Sequence, residues 1–301
     1  MAEMVFEGVM PAITTHLSSD MSIDHQALHQ HVDWLIGHGV SGIVPLGSLG
    51  EGATMSFDEK GSVLESCVAA ANGRVPIVPG IASLSTAEAV SLAKTAERLG
   101  CGGLMILPPY VYQGPWFEIK AHFVAMLEAT PLPCMLYNNP AAYGTDTTPE
   151  QIAELAAEHG NLKAVKESSG DVRRITAIRA LVGDRLALFA GLDDMVVEGV
   201  AMGAVGWIAG LINALPRESM ALFELARAGE DQKAFELYRW FLPLLRLDTV
   251  PEFVQLIKLV QAELGTGTET FRPPRQVLTD EQREATVALI RERMASRPPL
   301  G

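Results

Sequence analysis

Short apolar runs alternate with longer segments of helical period along most of the chain. The runs GVMPAITT, GIVPLG, PIVPGI, GLMILPP, PCMLYNN, LKAVKE, LALFAGL and AVGWIAG are bounded by Gly, Pro or polar residues, as strands covered on both faces are. Between them, TAEAVSLAKTAERLG sets Ala89, Leu92, Ala93 and Ala96 on one helix face, and TPEQIAELAAEHG opens on a threonine cap followed by proline. Several such segments close on glycine, in RLGCGG, EHGN and LVGD, which suits a helix C-terminus. Eight βα units in succession predict an α/β fold, a (β/α)8 TIM barrel that closes near residue 225.

From residue 226 the period is helical throughout, in DQKAFELYRWFLPLLRL, VPEFVQLIKLVQAELG and TDEQREATVALIRERM. Pro243, Pro251 and FRPPR punctuate this stretch, and no Gly/Ser linker sets it apart. The pattern predicts a catalytic barrel over 1–225 and a C-terminal extension of three helices over 226–301, packed on the barrel.

Length alone does not separate one large barrel from two average domains, since 301 residues suit either. Charge narrows the function. A net charge of −13 and the lack of any basic run of five argue against a nucleic-acid surface, which neutralises phosphates with clustered Lys and Arg. The first twenty residues have neither the basic flank nor the apolar length of a signal peptide or membrane anchor, so a cytoplasmic enzyme is expected. Cys67, Cys101 and Cys134 lie far apart with no CxxC pair, which predicts reduced, partly buried thiols rather than disulfides or a zinc site. His25 and His29 share a helix face without the HExxH pattern, and Leu28, Val32, Leu35 and Ile36 make that segment an ordinary amphipathic helix.

Barrel chemistry sits where strands end and βα loops begin. The polar residues there are Thr14 and Thr15, Ser48 and Glu51, Tyr110, Tyr137 with Asn138 and Asn139, Lys166 with Glu167, and Asp193 with Asp194. Lys166 in NLKAVKESSGDVRRI is the most informative. A lysine at the far end of an apolar run loses hydration when charged, which favours the neutral amine, and a neutral amine attacks carbonyl carbon to form a Schiff base. Structural roles compete at each position: an ion pair for Lys166, a core hydroxyl for Tyr137, a helix-start acid for Glu51, loop-amide acceptors for Asp193 and Asp194, and a pocket wall or oligomer contact for Tyr110 and Tyr112.

Four motifs in order, LGSLGE at 46–51, YNNP at 137–140, KES at 166–168 and GLDD at 191–194, resemble the dihydrodipicolinate synthase and N-acetylneuraminate lyase family over nearly the whole chain. The resemblance implies a Schiff-base lyase in which Lys166 forms the imine and Tyr137 moves protons at the bound intermediate. Ser48 takes the place of a loop hydroxyl that relays protons or holds the substrate carboxylate, with the backbone of Gly47 and Leu49 beside it. Ile208 packs beneath the keto acid, and Tyr110 and Asn139 complete the lining. The family needs no metal or organic cofactor, because the protonated imine is itself the electron sink, and it implies a dimer or tetramer.

Departures from the family pattern bear on the substrate. Leu49 stands where a second loop hydroxyl is usual, Ala142 where the biosynthetic synthase carries an arginine for its second substrate's carboxylate, and Val111 where a second tyrosine completes a relay with a neighbouring subunit. ILPPYVY, YNNPAAYG, KESSGDVRRI and GAVGWIAGL are most similar to the 1-pyrroline-4-hydroxy-2-carboxylate deaminases of hydroxyproline degradation. The alternatives within the family are 4-hydroxy-tetrahydrodipicolinate synthase, a 2-keto-acid aldolase and a sugar-acid dehydratase. Outside it stands a non-catalytic keto-acid-binding protein, for which a nucleophile beside a proton donor has no use. In each case the partner is a small keto acid or cyclic imine, with no nucleic acid and no membrane.

Overall fold

A computed structural model of the protein describes residues 4–300. Seven parallel strands form one curled sheet: β1 (Gly8–Val9), β2 (Gly80–Ile81), β3 (Leu104–Ile106), β4 (Cys134–Asn138), β5 (Leu162–Glu167), β6 (Ala187–Ala190) and β7 (Gly206–Trp207), in the order β1-β7-β6-β5-β4-β3-β2. The eighth expected strand, GIVPLG, forms no regular ladder. It is held by isolated parallel bridges, Val44 to Ala12 on one side and Ile43 to Ile77 on the other. Five backbone bonds seat it there: Val44 N–H donates to Pro11 O at 2.9 Å, Ile13 N–H to Val44 O at 3.0 Å and Ile43 N–H to Pro76 O at 3.0 Å, while Val78 and Gly80 N–H donate to Ile43 O and Pro45 O at 2.8 and 2.9 Å. Pro11, Pro45, Pro76 and Pro79 explain the broken ladder, because together they remove four donors from three adjoining segments. Both sheet edges therefore bond to the same segment, and the architecture is TIM-barrel-like.

Side-chain parity divides the apolar residues into two sets. Phe6, Met10, Val44, Val78, Ala82, Met105, Leu107, Met135, Tyr137, Ala164, Phe189 and Ile208 fill the inside of the sheet. Their neighbours in sequence, such as Ile106, Leu136 and Val165, pack outward against the helices. Successive strand residues point to opposite faces, so Lys166 shares the inward face with Ala164, two residues earlier, and Tyr137 shares it with Met135.

The expected helix signals are present. Ala89, Leu92, Ala93 and Ala96 are buried on helix Thr86–Arg98, and Thr148 caps helix Pro149–Glu158 in a capping box with Gln151. Past the sheet, helix Pro216–Arg227 runs across the expected boundary at 225. Helices Asp231–Leu245, Phe253–Glu263 and Asp280–Ala295 follow. Pro243 lies inside the last turn of the first of these instead of ending it. The second is buried at every position from Val254 to Gln261, its polar side chains included. Its Gln261 accepts from Thr14 Oγ1 at 2.9 Å, and its Lys258 donates to Thr15 O at 2.9 Å, which docks the helix on the mouth of the sheet. Among the described residues no helix is long and apolar enough to cross a membrane.

Candidate active site

The register of β4 and β5 makes Tyr137 and Lys166 Cα partners on the inward face. Lys166 Nζ consequently lies 4.2 Å from the centre of the Tyr137 ring. Both side chains are almost fully buried, at 6% and 7% exposure, and Lys166 forms no ion pair among the described residues. The next residue, Glu167, points outward: it accepts from Asn138 Nδ2 and from Ser169 N–H at 2.6 Å, with Arg174 at 3.9 Å. KES thus splits into an inward amine and an outward, structurally bound carboxylate.

Asn139 sets the orientation of the Tyr137 hydroxyl. Its Oδ1 accepts from Ala142 N–H at 3.1 Å as the cap of the short helix Pro140–Tyr143, which leaves Nδ2 to donate to Tyr137 Oη at 3.0 Å. The backbone donor thereby fixes which end of the amide faces the phenol. The same short helix carries Tyr143 into the site, where its hydroxyl meets Ser48 Oγ at 2.5 Å. The Tyr143 ring packs edge-on to Tyr137 at 5.6 Å and tilted against Tyr110 at 5.5 Å. Burial pushes both the Tyr110 and the Tyr143 hydroxyls above the usual phenol range, so both are neutral at physiological pH.

The loop at 46–51 is bent by left-handed backbone at Leu46 (φ 62°) and Glu51 (φ 57°). A Cβ on Gly52 would come 2.3 Å from Leu46 O, which keeps the loop closed over itself. Gly47 backs onto Gly80 of β2, where an added Cβ would lie 3.2 Å from the Gly47 backbone. Leu49 is buried at 4% exposure, and Ile208 is wholly buried on the floor of the sheet interior. Glu51 is structural: Lys258 Nζ donates to it at 2.6 Å, and Arg272 N–H at 2.8 Å.

Over the ends of β6 and β7 two carboxyl groups meet. Asp193 accepts from Gly210 N–H at 3.0 Å and Leu211 N–H at 2.8 Å, in keeping with the loop-amide role, whereas Asp194 faces Arg246 at 3.6 Å. Asp248, from the turn after the first C-terminal helix, lies against Asp193 and against Gly210, where a Cβ would be 2.3 Å from its Oδ1 and 2.8 Å from Leu49 Cδ2. Burial raises both carboxyl groups, Asp193 to about 6, and the field of Lys166 works in the opposite direction on each. Asp248 Oδ1 is buried with no hydrogen-bond partner, and burial together with the neighbouring Asp193 carboxyl raises Asp248 well above the usual carboxylate range.

Beside the hydroxyl cluster a cavity of about 740 Å³ opens outward, lined in part by Ser48, Tyr110, Val111, Ala142, Tyr143 and Arg275. Tyr143, Asp248, Lys258 and Arg275 were invisible as site or support residues in the sequence. Only Tyr143 carried a local signal, lying one residue beyond Ala142 in a strand-end motif. The other candidates lie elsewhere: His25 and His29 are exposed on their helix, and Cys67, Cys101 and Cys134 are free and buried, with burial pushing the Cys101 and Cys134 thiols up to about 12.

A buried amine and a phenol side by side at the C-terminal mouth of a parallel α/β sheet describe a barrel enzyme. The dihydrodipicolinate synthetase family model matches residues 5–293, and the chain belongs to that family, whose members are lyases. A 4-hydroxy-tetrahydrodipicolinate synthase of Geotalea daltonii is 32% identical over 293 residues, covering 96% of this chain and 99% of that protein. One from Methanoculleus marisnigri is 34% identical, covering 93% and 97%. The dihydrodipicolinate synthase of Acinetobacter baumannii, solved in complex with pyruvate, superposes with a TM-score of 0.92 at 29% identity, covering 96% of this chain and 99% of that one.

Proposed function

We propose that the protein is a Schiff-base lyase in which Lys166 is the nucleophile and Tyr137 the proton donor. The observation that carries this reading is the pairing of Lys166 with Tyr137 across β4 and β5, both inward and buried, with Nζ 4.2 Å from the ring. The pyruvate bound by the Acinetobacter baumannii relative supports a small 2-keto acid or its imine as the ligand class. The amine adds to the C=O or C=N carbon, water or amine leaves, and the iminium draws electrons from the adjacent carbon to give an enamine. Ser48 belongs to the polar side of the site, Gly47 and Leu49 to its loop wall, Ile208 to its floor, and Tyr110 and Asn139 to its lining. The full reading is a closed (β/α)8 catalytic barrel over 1–225 with the helices of 226–301 as an extension, acting in the cytoplasm as a homo-oligomer.

Within that class the reading is a 1-pyrroline-4-hydroxy-2-carboxylate deaminase. Lys166 attacks the ring C=N carbon, enamine formation expels the 4-hydroxyl, and hydrolysis yields 2,5-dioxopentanoate and ammonia, with one water consumed overall. Two features support it. Ala142 supplies no charge for a second carboxylate, and Arg173 and Arg174 are committed to Asp171 and Asp146 at 2.7 Å. One observation favours the synthase as the second reading: Arg275 lines the outer cavity and stands 3.6 Å from Glu51, a cation within the same opening.

Borohydride reduction in the presence of pyruvate, followed by peptide mass analysis, tests the class. The stable adduct is expected on Lys166, and labelling on Lys163 or no labelling at all rejects the assignment. Ammonia release from the hydroxylated pyrroline carboxylate tests the branch, against condensation of pyruvate with aspartate semialdehyde. Turnover in the second assay alone, at the usual enzymic rates of about 1 to 1,000 per second, replaces the deaminase with the synthase.

A further inference from the structure

We propose that Arg275 is a specificity-determining residue, the surplus positive charge on the wall of the outer cavity that selects ligands carrying a carboxylate. The inference rests on the Schiff-base reading and names the group that reads the charge of its ligand.

The cavity opens beside the reacting pair. Ser48, Tyr110 and Tyr143 belong to its wall, the Tyr143 ring packs on Tyr137 at 5.6 Å, and the Tyr137 ring lies 4.2 Å from Lys166 Nζ. The other charges around that wall are matched in pairs. Lys60 and Glu88 face each other at 3.3 Å. Glu51, its side chain fully buried, takes Lys258 Nζ at 2.6 Å and Arg272 N–H at 2.8 Å. The Arg272 guanidinium is engaged by Glu59 at 2.6 Å and by Met21 O at 2.8 Å. Arg275 is left over. It stands 3.6 Å from a carboxylate that Lys258 already neutralises, makes no hydrogen bond among the described residues, and keeps 25% of its side chain exposed. A guanidinium has five N–H donors, and here they are available to an anion in the cavity.

The chain brings Arg275 there by anchoring the segment before it. Lys258 donates to Thr270 O at 2.6 Å, and Arg272 is tied through both its backbone and its side chain, so the stretch after helix Phe253–Glu263 is pinned beside the loop at 46–51. Pro273 and Pro274 restrict the two positions between Arg272 and Arg275. A residue of the C-terminal helical region thus charges an opening whose remaining walls come from βα loops. A chain of net charge −13 repels small anions at long range, whereas a cleft with low-dielectric walls concentrates the field of one unmatched charge. Ala142 and Val111, on the same wall, add none.

Pyruvate and methyl pyruvate offer Lys166 the same ketone with and without a negative charge. The readout is the half-saturating concentration of each for the borohydride-trapped adduct, followed by mass. Arg275→Gln should raise that of pyruvate about 5- to 10-fold, as loss of a partly screened charge does, with methyl pyruvate far less affected. Arg275→Lys keeps the charge and should stay near wild type. Arg179→Gln removes the same charge beside Asp184 and Gly203 O, away from the cavity wall, and should shift neither ligand. Raising salt from about 0.01 to 0.15 M shortens the reach of a charge from about 30 to 8 Å, and should weaken pyruvate capture more in wild type than in Arg275→Gln. Equal shifts for the two ligands in Arg275→Gln, no shift for pyruvate, or an equally large pyruvate shift from Arg179→Gln overturns the inference while the adduct keeps the Schiff-base reading. A wild-type protein that forms no adduct on Lys166 with either ligand overturns both.

Discussion

Lys166 and Tyr137 owe their position to strand parity and register, and the proposed mechanism gives each a different role, nucleophile and proton donor. Tyr137→Phe removes one hydroxyl and leaves the ring over Lys166 in place. Turnover should fall by about two to four orders of magnitude, the usual worth of a positioned acid–base group, with ligand binding changed far less. Steady-state kinetics beside direct pyruvate binding separate the two effects, and near-normal turnover would assign the proton to another group. The residue scale also holds the clearest limit of the sequence. Tyr143 lay inside YNNPAAYG, a motif read for its missing arginine, and nothing local shows that the short helix Pro140–Tyr143 turns this phenol toward Ser48, 95 residues away.

Among the elements, the helix Phe253–Glu263 joins fold and site. Its Lys258 is buried against Glu51, which tops the strand-end loop bearing Ser48, and it also donates to Thr270 O at 2.6 Å. Breaking a buried ion pair from one side leaves the other charge uncompensated, so Lys258→Met should cost about 3 to 5 kcal/mol. Urea denaturation measures the loss, and the Glu51→Gln/Lys258→Met double variant should recover part of it. A single-variant loss inside the error of the method would show that Arg272 and Arg275 suffice for Glu51. The helix itself was legible from its period. Its polar residues were not assignable, because a lysine amid apolar residues of period 3.6 reads as a solvated edge until the surface opposite it is known.

For the whole molecule, one apolar cluster runs without a break from the outer face of the sheet through Phe241, Leu244, Val254 and Ile257. A chain cut at residue 225 should lack a cooperative thermal transition, whereas a truly separate barrel would melt on its own. Stability should also carry the signature of Asp193 and Asp248. A carboxyl group whose folded pKa lies above its unfolded value binds more protons when folded, so its contribution is present at low pH and lost as pH rises through the folded value. With Asp193 raised to about 6 by burial, the wild type loses this contribution between the ordinary carboxylate range and about pH 6. Asp248→Asn, which replaces the second acid by an amide donor, should therefore gain in melting temperature relative to wild type as pH rises from the ordinary carboxylate range through that window. A difference that stays constant with pH would show that the pair does not share a proton.

The alternation of buried strands with amphipathic helices determined the α/β class, the order of the βα units and the three trailing helices, because burial on two faces and on one stripe leave different periods in a chain. It also placed Lys166 and Tyr137 at strand ends, since a polar residue closing an apolar run is a local pattern. The prolines at 11, 45, 76 and 79 were equally visible, yet their joint effect on one ladder depends on which segments adjoin. The meeting of Asp193 with Asp248, of Glu51 with Lys258 and of Ser48 with Tyr143 was decided only by the curling of the sheet and the docking of the last helices upon it. Such contacts join residues up to 207 positions apart, and no propensity, cap or period refers to a partner at that distance.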